Sequence, residues 1–170
     1  TADSIVPADI DETPLPRELP RQLAIRLARA KAEKVLSEHQ GSFILAADTV
    51  VACGRRVLPK TTTRDEAEFC LNLLAGRSHR VIGGIALISP NLKIFARIVE
   101  TSVTFKRLDQ REHTSYLASE EWHGKAGGYA IQGLAAGFVR RINGSYSNVV
   151  GLPLFETTQL LQGAGYRVFR

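Results

Sequence analysis

Two long runs rich in β-forming residues, Arg80 to Ser89 and Lys93 to Lys106, lie almost back to back, with only Pro90-Asn91-Leu92 between them. A connection that short cannot hold the crossover that parallel strands need, so the two runs predict an antiparallel hairpin around which any sheet must be built. Upstream, Phe43 to Val51 is a third β-rich run, interrupted by Asp48-Thr49, and Cys53-Gly54 turns it toward a short strand ending at Leu58. Helical spacing surrounds these strands. Pro20 to Glu38 places Leu23, Leu27, Ala30 and Val35 near one face, with Pro20 suited to a first turn and Gly41 to a stop. Thr63-Arg64-Asp65-Glu66 has capping-box spacing, followed by Ala67, Cys70, Leu71 and Leu74 at i, i+3, i+4 and i+7. Asp109 to Ser119 reads as another capped helix, and Pro153 opens a last one that Gly163 closes.

Ala8 to Thr13 reads as an extended acidic start. Between Gly124 and Gly151 lie seven of the 14 glycines, which implies tight turns or close backbone approach there. Asn143-Gly144 predicts a hairpin turn between Phe138-Val139 and Val149-Val150, and Tyr166 to Phe169 a terminal strand. The sum is an α/β or α+β chain with a mixed, substantially antiparallel sheet.

With 44% apolar and 23% charged residues in 170, the chain can close one core, and no repeat or linker divides it. Lys plus Arg, 22, exceed Asp plus Glu, 17, giving a net charge of +5 that favours anionic partners. The basic residues are interleaved with acidic ones, as in Arg26, Arg29, Lys31, Glu33 and Lys34, which argues against a nucleic-acid-binding stripe. Cys53 and Cys70 have neither CxxC nor Cys-His spacing, so a disulfide scaffold and a structural zinc site are disfavoured and a reducing cytoplasm is expected. Apolar stretches such as Phe43 to Ala47 stop far short of the ~20 residues of a membrane span, so a soluble protein without a membrane partner is expected. There is no Met, and Thr1-Ala2-Asp3 starts neither helix nor strand, which predicts missing upstream residues.

No P-loop, dinucleotide fingerprint, HExxH or GxSxG motif is present. What remains is a set of carboxylates and lysines. Asp48 interrupts an apolar strand, where an ionised carboxylate must be paired, bound to metal or close to water. It reads equally as a metal ligand or general base at a cleft and as a strand-terminal Asp capping a turn. Lys60 reads as a phosphate-neutralising cation or a solvated turn lysine. Glu12, in Asp9-Ile10-Asp11-Glu12, offers oxygen to a hard cation such as Mg2+, or belongs to a solvated acidic loop. Lys125 beside Ala126-Gly127-Gly128 suits a polyphosphate, with Tyr129 and Gln132 for stacking on and pairing with a base; a glycine-rich hairpin with a buried Tyr is the alternative. His79, His113 and His123 lack ligand spacing and read as surface or hydrogen-bonded histidines.

Four stretches in register, Ala46-Ala47-Asp48-Thr49-Val50-Val51, Leu74-Ala75-Gly76-Arg77-Ser78-His79, Lys125 to Gly133 and Asn143 to Leu154, resemble the Maf family. The resemblance runs from Asp9 to the C-terminal helix. It implies a nucleoside triphosphate pyrophosphatase with a fold like that of inosine triphosphate pyrophosphatases: a long twisted mixed sheet, flanking helices and two lobes around a cleft. The implied reaction releases nucleoside monophosphate and pyrophosphate with a divalent metal, Mg2+, Mn2+ or Co2+, and the implied state is a cytoplasmic homodimer. By family position Asp48 is the central acidic residue, metal ligand or base, Glu12 the second acidic residue, and Lys60 and Lys125 contact phosphates. Lys31 falls in another stretch similar to the family, Arg26 to Ala32, which makes it a further substrate-binding candidate, though helix-surface packing explains it equally well.

Ile131-Gln132-Gly133 is similar to the branch acting on dTTP and UTP, whereas Glu-Gly commonly stands there in the 7-methyl-GTP branch, which makes Gln132 the base-selecting residue. The family is associated with nucleotide-pool cleansing and with restraint of septum formation. A non-catalytic nucleotide-binding regulator of division and a 7-methyl-GTP pyrophosphatase are the alternatives. Three departures stand out. By this resemblance the chain, a single domain over 1–170, starts downstream of the family's first strand and its Ser/Arg phosphate loop. The usual Lys-Pro is Lys60-Thr61, and Gly83 stands where Thr is common.

Overall fold

The computed structural model describes residues 2–169; Thr1 and Arg170, the ends of the expected domain, lie outside the described residues. Along the chain come α1 (Pro20–Leu36), β1 (Ile44–Cys53), β2 (Arg56–Leu58), α2 (Arg64–Leu74), β3 (Ser78–Ile88), β4 (Ile94–Phe105) and α3 (Gln110–Ser119). A 3-10 turn (Leu134–Phe138), β5 (Val139–Asn143), α4 (Tyr146–Val150) and α5 (Leu154–Gly163) complete it.

The expected hairpin is the centre of the sheet, with β3 and β4 paired from Ser78↔Thr104 to Ile88↔Ile94. Strand order is β2-β1-β3-β4-β5. All four pairings are antiparallel among the described residues, so the expected mixture of parallel and antiparallel strands is not seen there. Because successive side chains alternate between faces, β1 and β3 each serve two cores. Val50, Ala52, Ile82 and Ala86 meet Leu23, Leu27 and Ala28 of α1 on one face. On the other face, Ile85 and Leu87 pack against Leu160 of α5. Further along that face, Val51, Val81, Val103 and Phe105 pack into the lobe of α2, α3 and the segment after them.

The capping signals are realised. Thr63 Oγ1 accepts from the Glu66 N–H while Glu66 accepts from the Thr63 N–H, and Asp109 accepts from the Arg111 and Glu112 N–H groups. Ala67, Cys70, Leu71 and Leu74 are all buried, as their spacing requires.

Two expectations are corrected. Asn143-Gly144 ends β5, but no return strand follows: Ser145 caps α4, and Val149-Val150 are helical. The cause lies in Asn148, fully buried, whose Nδ2 donates to Val81 O, Val99 O and Thr101 Oγ1, a reach from β3 to β4 that only the helical turn allows. Tyr166 to Phe169 is not a strand either. The Tyr166 N–H closes the end of α5 on Leu161 O and its ring meets Phe43 edge-on at 5.3 Å, so the segment packs through side chains without a ladder.

Candidate active site

β1 carries Asp48 on the face that α1 covers, directly across the ladder from Gly84. A Cβ at Gly84 would stand 2.2 Å from the Ala24 carbonyl oxygen, so only glycine lets α1 lie this close to the sheet. Lys31, seven residues after Ala24 and therefore on the same helical face, is thereby delivered to the carboxylate. Its Nζ donates to Asp48 Oδ1 at 2.6 Å and lies 2.7 Å from Glu12 Oε1. Glu12 comes from the extended segment before α1, and its other oxygen accepts from Lys60 Nζ. The result is an alternating chain, Asp48, Lys31, Glu12, Lys60, buried at the Asp48 end and open to solvent at the Lys60 end.

Burial pushes the Asp48 carboxyl above the usual carboxylate range, against the opposing pull of Lys31. Burial also works against the charge on Lys31, but Asp48 and Glu12 together outweigh it and hold the ammonium above its ordinary value. Glu12 is likewise opposed by burial and is held low by Lys31 and Lys60.

β2 runs with β1 only from Val51↔Leu58 to Cys53↔Arg56, so the chain past Leu58 continues back along β1 toward Asp48, bringing Lys60 there. The segment 124–128 lies against this continuation: Gly127 N–H donates to Pro59 O, Gly124 N–H to Thr61 O, and Lys60 bridges to Ala126. Gly127 has φ +68°, and a Cβ there would stand 2.8 Å from a Val51 methyl. This is where the glycine-rich quarter needs its glycines.

Lys60 and Lys125 line one cavity of about 280 Å3 together with Asp48 and Gln132. Its floor is the β1 face opposite α1, Ala47, Thr49 and Val51, and its wall includes Val149 and Val150 of α4. Tyr129 also lines it, with its hydroxyl hydrogen-bonded to His79 Nε2 at 2.8 Å and its ring edge-on to Phe105. His79 is thus the hydrogen-bonded histidine expected; burial pushes it down to about 4, so it is neutral at pH 7.

All six candidate residues therefore come together, four in the ion-pair chain and Lys125 and Gln132 around the cavity that Asp48 and Lys60 share with them. Sequence reasoning missed the apolar lining. Alternation along β1 would have grouped Ala47, Thr49 and Val51, whereas Val149 and Val150 were hidden by the mistaken strand. At the Lys60-Thr61 pair, noted above as a departure from the family pattern, Thr61 is fully buried and bonded to the loop that bears Lys125.

The arrangement offers two carboxylates and three lysines, at a cavity with an amide on its wall. Such a site can hold a phosphate chain by its charge while a carboxylate handles a proton. Residues 2–164 match the family model described as Maf-like protein. The chain is 64% identical, over 94% of its length and 84% of the relative's, to a protein of Paramagnetospirillum magneticum named dTTP/UTP pyrophosphatase. Proteins of the same name from Mesorhizobium japonicum (58% identical, 98% and 83% covered) and Caulobacter vibrioides (56%, 98% and 86%) are similar throughout.

Proposed function

The chain belongs to the Maf-like protein family, and on that premise we propose that it is a pyrophosphatase that cleaves dTTP and UTP to the nucleoside monophosphate and pyrophosphate. The observation that carries this reading is the convergence of Asp48, Lys60, Lys125 and Gln132 on one cavity.

A divalent metal fits the donors. Asp48 and Glu12 already share one cation, Lys31 Nζ, at 2.6 and 2.7 Å, and their oxygens suit Mg2+, Mn2+ or Co2+. Among the described residues no group of three or more His, Cys, Asp or Glu is placed for a metal, so the remaining ligands would be waters and substrate phosphates, which an ion such as Mg2+ takes. A metal held by Asp48 and Glu12 would draw charge from the phosphates and acidify water. Asp48, its carboxyl raised by burial, orients and deprotonates the water that attacks the α-phosphorus. Lys60 exchanges Glu12 for phosphate on binding, and with Lys125 neutralises the departing pyrophosphate. Gln132 presents both a donor and an acceptor to a pyrimidine edge.

No described helix is long and apolar enough to cross a membrane. The reading carries with it a cytoplasmic location, which the free thiols of Cys53 and Cys70 suit, and a homodimer. The test is pyrophosphate release with Mg2+, Mn2+ or Co2+ from dTTP, UTP, CTP and 7-methyl-GTP. Preference for dTTP and UTP is expected; folded protein that releases pyrophosphate from none of the four overturns the reading.

A further inference from the structure

Thr61 has no exposed surface and sits where two segments far apart in sequence close on each other. Three of its groups are committed to the loop that carries Lys125. Its N–H donates to Lys125 O at 3.2 Å, its carbonyl accepts from Gly124 N at 2.7 Å, and its hydroxyl donates to Trp122 O at 2.6 Å. The methyl fills the remaining side: a Cβ at Gly128, whose φ is +71°, would stand only 3.2 Å from it. Lys60, the preceding residue, bridges to Ala126, the residue after Lys125. One buried residue therefore fixes where the backbone of each cavity lysine lies relative to the other.

A lysine ammonium rides on a flexible four-carbon stem, so its reach is set by its backbone anchor, and an anchor left loose must be ordered again each time a phosphate chain binds. We propose that Thr61 is a positioning residue for phosphate recognition, holding the backbone of Lys125 against the Lys60 segment at the cavity through its N–H and hydroxyl. This rests on the reading of Lys125 as a phosphate contact. A proline at this position would offer neither donor, and valine keeps the shape and the N–H while removing the hydroxyl.

The test uses the full chain with Thr61→Val and Thr61→Ser, each alone and with Lys125→Ala. The readouts are the melting temperature, KM and kcat for dTTP, and the inhibition constant of inorganic pyrophosphate. Thr61→Val is expected to raise KM and the pyrophosphate constant about ten-fold with a smaller change in kcat, and Thr61→Ser to restore both to within about two-fold. In the Lys125→Ala background Thr61→Val should add less than about two-fold, because its effect passes through the missing ammonium. A lowered melting temperature with unchanged KM and pyrophosphate constant overturns the proposal, as does an equal loss in the two backgrounds. A parent chain that neither turns over dTTP nor is bound by pyrophosphate overturns the reading of the cavity itself, a failure distinct from that of Thr61.

Discussion

Replacing Asp48 by asparagine removes one charge from a chain of four and leaves Lys31 paired with Glu12 alone. The side chain keeps its shape and one acceptor oxygen, so the fold should hold, with the melting temperature moving by only about 5 °C. Turnover should fall by roughly 10²- to 10⁴-fold, because an amide cannot take the proton of the attacking water. Pyrophosphate release and a thermal melt check both halves, and a folded variant that keeps a tenth of the activity would remove Asp48 from the reaction. Asp48 was visible in the sequence because a charge in an apolar strand demands a reason. Lys31 was less so: helical spacing states which face a lysine occupies, but not how near the sheet that face comes. That distance depends on Gly84, which stands on another strand with no local mark of its purpose.

Adjacent glycines on β3 seat different elements on opposite faces of the sheet, and substitution by alanine should separate their effects. At Gly83 the new Cβ would fall 2.1 Å from Asn148 Oδ1, so the α4 turn must shift its amide; at Gly84 it would fall 2.2 Å from the Ala24 backbone oxygen. A side chain can yield more easily than a helix backbone. Gly83→Ala is expected to cost about 1–3 kcal/mol, and Gly84→Ala more than that, with loss of activity as Lys31 is carried away from Asp48. Urea unfolding of both variants measures this, and equal costs would contradict the helix-seating role of Gly84. At this scale the sequence was legible wherever the cause is local: the capping residues Thr63 and Asp109 and the hairpin at Pro90-Asn91 each act within a few residues. It misled at Val149-Val150, whose β-branched side chains favour a strand, because the deciding interaction is the contact of Asn148 with β3 and β4, 67 and 47 positions away. The terminal Tyr166 to Phe169 segment failed for a similar reason, since a strand needs a free partner edge that no local pattern can supply.

Stability of the whole molecule should bend on the acid side well before the carboxylates titrate. Burial holds His79 at about 4 against an ordinary 6.5, so the unfolded chain takes up a proton that the folded chain refuses. Its contribution is therefore complete above pH 6.5 and is lost as pH falls through that window to 4, by roughly 3 kcal/mol. Asp48, raised by burial, acts in the opposite sense, since the folded chain holds its proton longer as pH rises from the ordinary value of 3.8. His79→Gln should flatten the slope between pH 4.5 and 6.5 in urea midpoints; an unchanged slope would show that another group carries it. That same histidine leads, through Tyr129, to the cavity wall, and beyond it to the aromatic core.

The carbonyl that Thr61 grips belongs to Trp122, the one tryptophan of the chain, whose indole is buried in the core shared by Tyr129 and Phe138. Any change in how the Lys125 loop sits must alter the surroundings of that ring. The molecule thus carries a single indole, which long-wavelength excitation selects over its four tyrosines, behind the loop that bears Lys125, and the state of that loop is written in its emission without any label.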